Sequence, residues 1–551
     1  MLLALALVGF IVGVQRLDAE WSAPARAAVE INLSPWALPK YTLLSLSRGL
    51  LAYAFSLGFT LVYGYWAAKS ALAERVLIPL LDVLQSIPVL GFMPGLVLAM
   101  VAAFPRSNTG LELAAIIMIF TGQAWNMTFS FYHSVRSVPS DQREVATAYH
   151  FTWWKRLVWV ELPFSTIGLV WNSMMSMAGG WFFLMVSEAF VLGDKDFRLP
   201  GLGSYMSVAV ARGDSAAMAW AVLAMAIMIV FLDQLLWRPV VVWAQKFRVE
   251  EGGQEAAEHS WVLDFLRRSR VLRFLGRTAR EALAKAKSRR RVPAPASAAP
   301  RKTSDALSKG LFLALLLAMG FGVVRLVLVV RGVAPVEWLR LGGAGLTTLG
   351  RVLASTAIGT LWALPAGLAI GLSPRLSRAL QPVVQVVASF PAPMLFPLVV
   401  ALLKGAGVAL GWGSIVLMLL GTQWYILFNV IAGASAIPSD LREATRMYRL
   451  GVYARFRGLY LPAVFPHLVT GWVTAAGGAW NASIVSEFVT LKGEALVTWG
   501  LGAQISEAAS SADFPRLAAS VVTMSGLVVA FNRLAWRPLN HLAETRFSLS
   551  K

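Results

Sequence analysis

The chain is 551 residues long, 57% hydrophobic and only 14% charged, with no cysteine, five histidines and a formal charge of +20; its mean hydropathy is +0.64. A water-soluble domain carries about 25% charged residues, so this composition describes an all-α polytopic membrane protein, helices being able to satisfy their own backbone in lipid. Disulfide frameworks, thiol catalysis and cysteine-ligated metals are excluded, and five scattered histidines leave little for any metal site, so none is expected.

Apolar segments near the ~20 residues that a span needs run at 1–15, 42–66, 76–104, 112–135, 163–188 and 216–240. A second set follows at 308–330, 345–371, 380–403, 412–435, 463–488 and 516–537, twelve spans in all. The first is short and lacks a basic leader; it reads as a spanning helix, with a signal-like stretch as the other reading. Loops on one side carry Lys69, Arg75, Arg136, Arg143, Lys155 and Arg156, and in the second half Arg375, Arg378, Arg442, Arg446, Arg449, Arg455 and Arg457, whereas loops on the other side mix signs. The positive-inside rule puts the first set, and with twelve spans both termini, in the cytoplasm.

Residues 1–245 form a first half, 246–306 a cytoplasmic linker and 307–551 a second half. Within the linker, residues 261–302 hold thirteen Lys/Arg against Asp264 and Glu281, a net +11. Trp261, Phe265, Leu272, Leu275, Ala279 and Leu283 recur there at helical spacing, the pattern of a basic amphipathic helix on anionic lipid rather than of a nucleic-acid site. Residues 288–305, rich in Pro, Ala and charge, read as a flexible tether.

A shift of 299 residues superposes the halves without a gap from Gly122 to Pro239. PSDQREVATAY at 139–149 falls on PSDLREATRMY at 438–448, and Trp181, Ser187 and Glu188 fall on Trp480, Ser486 and Glu487. Upstream, a shift of 303 brings Ser86, Pro88 and Pro94 onto Ser389, Pro391 and Pro397. Six spans per repeat is an even number, so both copies enter the membrane in the same sense and are related by a pseudo-two-fold axis along the membrane normal, enclosing a central pathway.

The best-matched stretch is a polar loop between the fourth and fifth spans of each half, and a matched polar loop asks for a matched partner. Asp141 is placed to cap a short helix and Glu144 to complete a capping box, leaving Val145, Ala148 and Tyr149 as an exposed apolar face beside Arg143. Asp440, Arg442 and Glu443, with Ala444, Met447 and Tyr448, repeat the arrangement.

This loop resembles the EAA loop of bacterial ABC importer permeases, in which E-A-A-x-x-x-G is followed nine residues later by an apolar residue, any residue, Leu and Pro. Glu144, Ala146, Val160, Leu162 and Pro163 take those places, as do Glu443, Ala444, Leu459, Leu461 and Pro462. Both copies depart from the pattern at the glycine, which is His150 in one and Arg449 in the other. Ser86-Ile87-Pro88 and Ser389-Phe390-Pro391, Ser187-Glu188 and Ser486-Glu487, and the Gly-Leu-Gly that follows are similar to the nitrate/sulfonate/taurine branch.

The resemblance implies two tandem six-helix type I ABC importer transmembrane domains in a bacterial inner membrane. It implies two ATP-binding subunits on the cytoplasmic side and a periplasmic substrate-binding protein as partners, and a small oxyanion or organosulfonate such as nitrate, bicarbonate, sulfonate or taurine as cargo. The two loop helices, from Asp141 to Tyr149 and from Asp440 to Tyr448, would couple the ATPases to the membrane. The chain itself has no Gly-Lys dipeptide and so no phosphate-binding loop; it is not expected to be an enzyme, and ATP and Mg belong to the partner.

Polar and aromatic residues inside spans are the candidates for the pathway, since each is costly in lipid unless it faces protein, water or solute. They are Ser86, Pro88, Gln123, Asn126, Trp181 and Glu188 in the first half, and Ser389, Pro391, Gln423, Asn429, Trp480 and Glu487 in the second. For Gln, Asn and Trp the competing reading is helix-to-helix bonding and packing; for the two glutamates it is a satisfied carboxylate bonded to the following loop. The prolines are expected to break the third and ninth spans. A gradient-driven carrier of two six-helix halves is the alternative function, but charged residues are nearly absent mid-span and it would have no use for a repeated loop helix. A membrane-embedded enzyme finds no His, Asp or Ser constellation to support it.

Overall fold

The computed structural model describes residues 29–192, 195–247, 326–491 and 494–547, with five single positions between 310 and 324. The first expected span, the linker helix and the tether lie outside these residues, and the span at 308–330 lies mostly outside them.

The first half runs α1 (Pro35–Lys69), α2 (Ala71–Ser86), α3 (Val89–Ala103), α4 (Thr109–Arg136), α5 (Ser140–Ala148), α6 (Trp153–Ser187), a hairpin β1 (Ala189–Leu192) and β2 (Lys195–Arg198), α7 (Leu202–Arg212) and α8 (Ser215–Phe247). The second half repeats the order: α9 (Pro335–Leu372), α10 (Pro374–Ala388), α11 (Ala392–Gly405), α12 (Leu410–Ser435), α13 (Ser439–Met447), α14 (Val452–Ser486), β3 (Phe488–Leu491), β4 (Glu494–Val497), α15 (Leu501–Ser510) and α16 (Phe514–Arg546). Two copies with one order and one sense are what a pseudo-two-fold along the membrane normal requires.

Among the described residues eight helices are long and apolar enough to cross a membrane, nine if the pair α10–α11, bent by 83°, counts as one span. The expected span at 76–104 is two helices, of 16 and 15 residues. The breaks fall at Ile87-Pro88, where Ile87 before the proline is extended, and at Ser389 to Pro391, where Pro391 itself is extended at the start of α11. Pro94 and Pro397, also expected to break these spans, sit inside α3 and α11 instead. The two small hairpins are an addition to the all-α expectation; β1 pairs with β2 and β3 with β4, both antiparallel.

Local chemistry is repeated as well. Ser70 and Ser373 cap α2 and α10 through Ala73 N and Leu376 N, and Asp214 and Asp513 cap α8 and α16 through Ala217 N and Arg516 N, each satisfying a donor that a helix start leaves free. A π-helical turn interrupts α6 at Leu157–Glu161 and α14 at Phe456–Tyr460, and another interrupts α8 at Asp233–Trp237 and α16 at Asn532–Trp536. Such a turn accommodates one extra residue within a helix.

The halves meet where α6 contacts α11 and, reciprocally, α14 contacts α3. Val89 N at the start of α3 donates to Asn481 Oδ1 of α14 over 2.7 Å, and Val521 of α16 packs on Gly91. One apolar core spans both halves, from Trp181, Leu184 and Met225 to Trp480, Leu501 and Met524.

At the ends of the helices nearest α5 and α13 the halves differ. In the first, Lys69 pairs with Glu161, and Glu74 takes Arg136 at 3.0 Å together with the Tyr132 hydroxyl. The counterparts are Leu372, Tyr460, Ser377, Ser435 and Ile431, and Ile431 sits in an apolar cluster against which Leu372 and Tyr460 pack.

Candidate functional site

Two constructions stand out: a pair of exposed helices on one face, and a cavity between the halves.

α5 and α13 follow Pro139 and Pro438, whose extended backbone ends the preceding helix. The expected capping box does not form. Pro139 and Pro438 occupy the N-cap position, which puts Asp141 and Asp440 inside the first turn, where a carboxylate favours the helix dipole without capping it. Arg143 donates to the carbonyls of Val138 and Arg136, tying α5 back to the end of α4. Glu144 and Glu443 are exposed. Val145 and Tyr149 are 54% and 73% exposed, and Met447 and Tyr448 are 83% and 81% exposed; Ala148 is exposed beside them and Ala444 half-buried. Ala146 alone of α5 is buried, so the helix lies on the protein by one small contact and offers the rest outward.

Both helices end on a residue with positive φ, His150 at 49° and Arg449 at 50°. Phe151 N reaches Ala146 O and Leu450 N reaches Thr445 O, closing each helix with a left-handed cap. These are the two positions where the EAA pattern has glycine; the backbone keeps the glycine conformation although the residue has changed.

At the far end of the spans, Glu188 and Glu487 are fully buried and their hydrogen bonds are taken up within the protein. Glu188 accepts from Ser45, from Arg48 Nη1 at 2.8 Å and from Gly203 N, and Arg48 is held in turn by Glu112 at 2.6 Å through both Nε and Nη2. Glu487 accepts from Thr348, from Arg351 at 2.7 Å and from Gly502 N. The glycines are obligatory here: a Cβ on Gly201 or Gly500 would lie 2.3 or 2.2 Å from the carboxylate. The glutamates therefore fasten α7 and α15 to their spans, and their geometry matches the satisfied-carboxylate reading rather than a lining role. The counterpart of Glu112 is Gly411, so the second half has one carboxylate where the first has two.

A cavity of about 90 Å³ lies between the halves. Of the pathway candidates it brings together only Pro391 with this space. Trp181 and Ser389 line a neighbouring space of about 10 Å³. Gln123 is buried against Ser56 and Met177 and Gln423 accepts from Trp362 Nε1, the helix-to-helix bonds of the competing reading, whereas Asn429 donates to Tyr425 O within its own helix. Asn126 is half-buried and Trp480 is buried in the core; neither lines the cavity. Pro88 is buried at the start of α3, and Ser86 ends α2.

What sequence reasoning missed is on the cavity wall and in the buried network. Phe182, Tyr425 and Asn481 line the cavity. The strict counterpart of Asn126 is Tyr425, not Asn429, and that of Phe182 is Asn481. Arg48 and Arg351 also stand at one shift, 303, inside apolar spans; a charge repeated at matched depth was the signal for the network.

The family model described as binding-protein-dependent transport system inner membrane component matches the chain twice, over residues 60–236 and 355–536. The nitrate import permease protein NrtB of Leptolyngbya laminosa is 30% identical over 142 residues, 25% of this chain and 50% of the relative. The bicarbonate transport system permease protein CmpB of Synechocystis sp. is 28% identical over 144 residues, 26% of this chain and 50% of the relative. The glycine betaine/carnitine transport permease protein GbuB of Listeria monocytogenes is 27% identical over 217 residues, 37% and 66% of the two chains. The chain spans about half the length of the first two relatives it matches.

Proposed function

The chain belongs to the family of binding-protein-dependent transport system inner membrane components, and from that premise we propose that it is the whole transmembrane module of an ATP-driven importer, two permease halves (1–245 and 307–551) joined by a cytoplasmic linker (246–306). It moves a small solute inward by alternating access while separate subunits hydrolyse ATP. The observation that carries the reading is the pair α5 and α13: two exposed, charged and apolar helices at matched positions, one docking surface for each of two ATP-binding subunits. ATP and Mg are bound by those subunits. The side carrying α5 and α13 is the cytoplasmic one, with both termini on it, and a periplasmic substrate-binding protein delivers the solute to the face of the hairpins. The likeness to nitrate and bicarbonate permeases supports a small oxyanion or organosulfonate as cargo.

The test replaces Glu144 and Glu443 together by alanine in the chain reconstituted with its co-purified ATPase. Coupling through these helices predicts that ATP hydrolysis persists while uptake falls by roughly ten-fold or more, within the usual range of a lost coupling free energy. Normal uptake by the double variant would contradict the role given to α5 and α13, and a protein that purifies alone and transports on an ion gradient would replace the importer by a secondary carrier.

A further inference from the structure

The cavity between the halves has two unlike walls. From the first half come only apolar side chains, Met175, Phe182 and Phe183 among them, with Gly122 and Gly179 leaving the space open; from the second come the polar Thr422, Tyr425 and Asn481 together with aromatic rings. Under the internal repeat Phe182 corresponds to Asn481, Gln123 to Thr422 and Asn126 to Tyr425. Of the first-half members the two polar ones are off the wall, Gln123 turned into Ser56 and Met177 and Asn126 outside the lining. Every polar side chain on the cavity therefore belongs to the second half.

Those polar groups are not equally free. Thr422 donates to Met418 O, Asn481 accepts from Val89 N and donates to Gly477 O, and Trp424 donates its ring N–H to Leu420 O. The Tyr425 hydroxyl has no hydrogen-bond partner among the described residues, and it lies against Gly179 of the opposite half, 3.3 Å from where a Cβ would stand. Phe390, Trp424 and Phe428 of the second half add rings to the lining, small residues and Pro391 fill the rest, and among the described residues no Asp, Glu, Lys, Arg or His takes part in it.

Resting on the importer reading above, we infer that this cavity is a solute subsite that takes an organic molecule with an apolar, ring-stacking or short aliphatic body and a hydrogen-bond-accepting end, the body on the phenylalanine wall and the acceptor on the Tyr425 hydroxyl. An inorganic oxyanion is polar over its whole surface. It would leave most of its acceptors unpaired among rings, with no cation to offset its charge. A molecule with one polar end meets the Tyr425 hydroxyl and covers the rings with the rest, the usual composition of a small-molecule site. A symmetric pair of half-permeases would present the same residue twice; two unlike walls need two unlike halves, which a fused chain supplies.

The experiment measures equilibrium binding of the neutral probes benzamide and benzenesulfonamide to the full chain in lipid nanodiscs, with nitrate and bicarbonate as competitors. Both aromatic probes are expected to bind and to displace each other, and nitrate and bicarbonate at ten-fold excess to leave them bound. Tyr425→Phe keeps the ring and loses the donor, and should weaken both probes by about ten-fold, the order of one hydrogen bond to a buried acceptor. Phe182→Asn, which gives the first wall the residue of the second, should reduce the aromatic preference while the protein still elutes as a single species. Displacement by nitrate or bicarbonate, absence of aromatic binding, or unchanged affinity in Tyr425→Phe would overturn the subsite. Co-purification of the ATPase with the same preparations keeps the two readings apart: probes that fail while the ATPase remains sink the subsite alone, and loss of the ATPase from the unaltered chain sinks the importer.

Discussion

Replacing Glu112 by glycine, the residue at the matching position of the second half, should destabilise the protein in one background and stabilise it in another. Arg48, Glu112 and Glu188 have no exposed side-chain surface. Glu112 takes two of the three Arg48 nitrogens at 2.6 Å, and Glu188 and the Pro200 carbonyl share the third at 2.8 Å. Removing one partner of a buried ion pair costs about 3–5 kcal/mol, because it leaves the other charge unpaired. Arg48→Leu alone should therefore cost about that much, whereas Glu112→Gly leaves Arg48 paired with Glu188 and strips only the bonds from its Nε and Nη2, at about 1–3 kcal/mol. In an Arg48→Leu background the cation is gone and both carboxylates are orphaned, although Glu188 keeps Ser45 and Gly203 N. There Glu112→Gly removes a buried unpaired charge, and the change should raise stability by about 1–3 kcal/mol. The assay is the fraction of monodisperse protein left after a series of heating steps, read by fluorescence-detected size exclusion for the four chains. The order expected is wild type, then Glu112→Gly, then the double variant, with Arg48→Leu alone last. A double variant whose loss equals the sum of the single losses to within about 0.5 kcal/mol would mean that the residues act independently, and the network would have no energetic content.

The same heating assay tests two backbone arguments. His150→Gly and Arg449→Gly place the permissive residue at φ 49° and 50° and should each raise stability by about 0.5–1 kcal/mol, with His150→Val lowering it; no difference between glycine and valine would refute the strain. Gly110→Ala sets a Cβ 2.4 Å from the carbonyl of Met100, whereas Gly58→Ala meets nothing within 4 Å. The first should cost about 1–3 kcal/mol and the second gain about 0.5–1 kcal/mol, and equal midpoints would contradict the packing of α4 on α3.

The duplication, eight of the twelve expected spans and the loop helices were legible because each is written twice, and what survives twice in an apolar chain is chemistry rather than hydropathy. The long helices α4, α6, α12 and α14 lie close to where the apolar runs end. The break of the third span was legible from Pro88 and Pro391, because proline removes a donor and constrains the residue before it; that Pro94 and Pro397 do not end their helices was not, since tertiary contacts decide whether an interior proline is tolerated. The capping box failed because Pro139 and Pro438 took the N-cap position by their own extended geometry, two places before the aspartate. The cavity wall was the least legible part. Gln123 and Gln423 were singled out for being polar in apolar spans, but polarity at that depth is satisfied equally well by a neighbouring helix, as by Trp362 Nε1 on Gln423. Phe182 carries no such mark, and only the fold turns its ring toward the other half.

The π-helical turns in α6, α8, α14 and α16 also give the molecule a chronology. Each wide turn of one half has its twin 299 residues away, and an extra residue accommodated at the same two places in both copies is inherited more simply than acquired four times. Those turns therefore belong to the single ancestral unit, before the copying. The turn at Thr60–Gly64, which α9 replaces by a continuous helix containing Pro365, and the exchange of Lys69 and Glu161 for Leu372 and Tyr460 belong to the time since, when each half was free to accumulate its own changes. Sorting positions by whether they agree across the copies separates what any such unit needs from what this chain has since made its own.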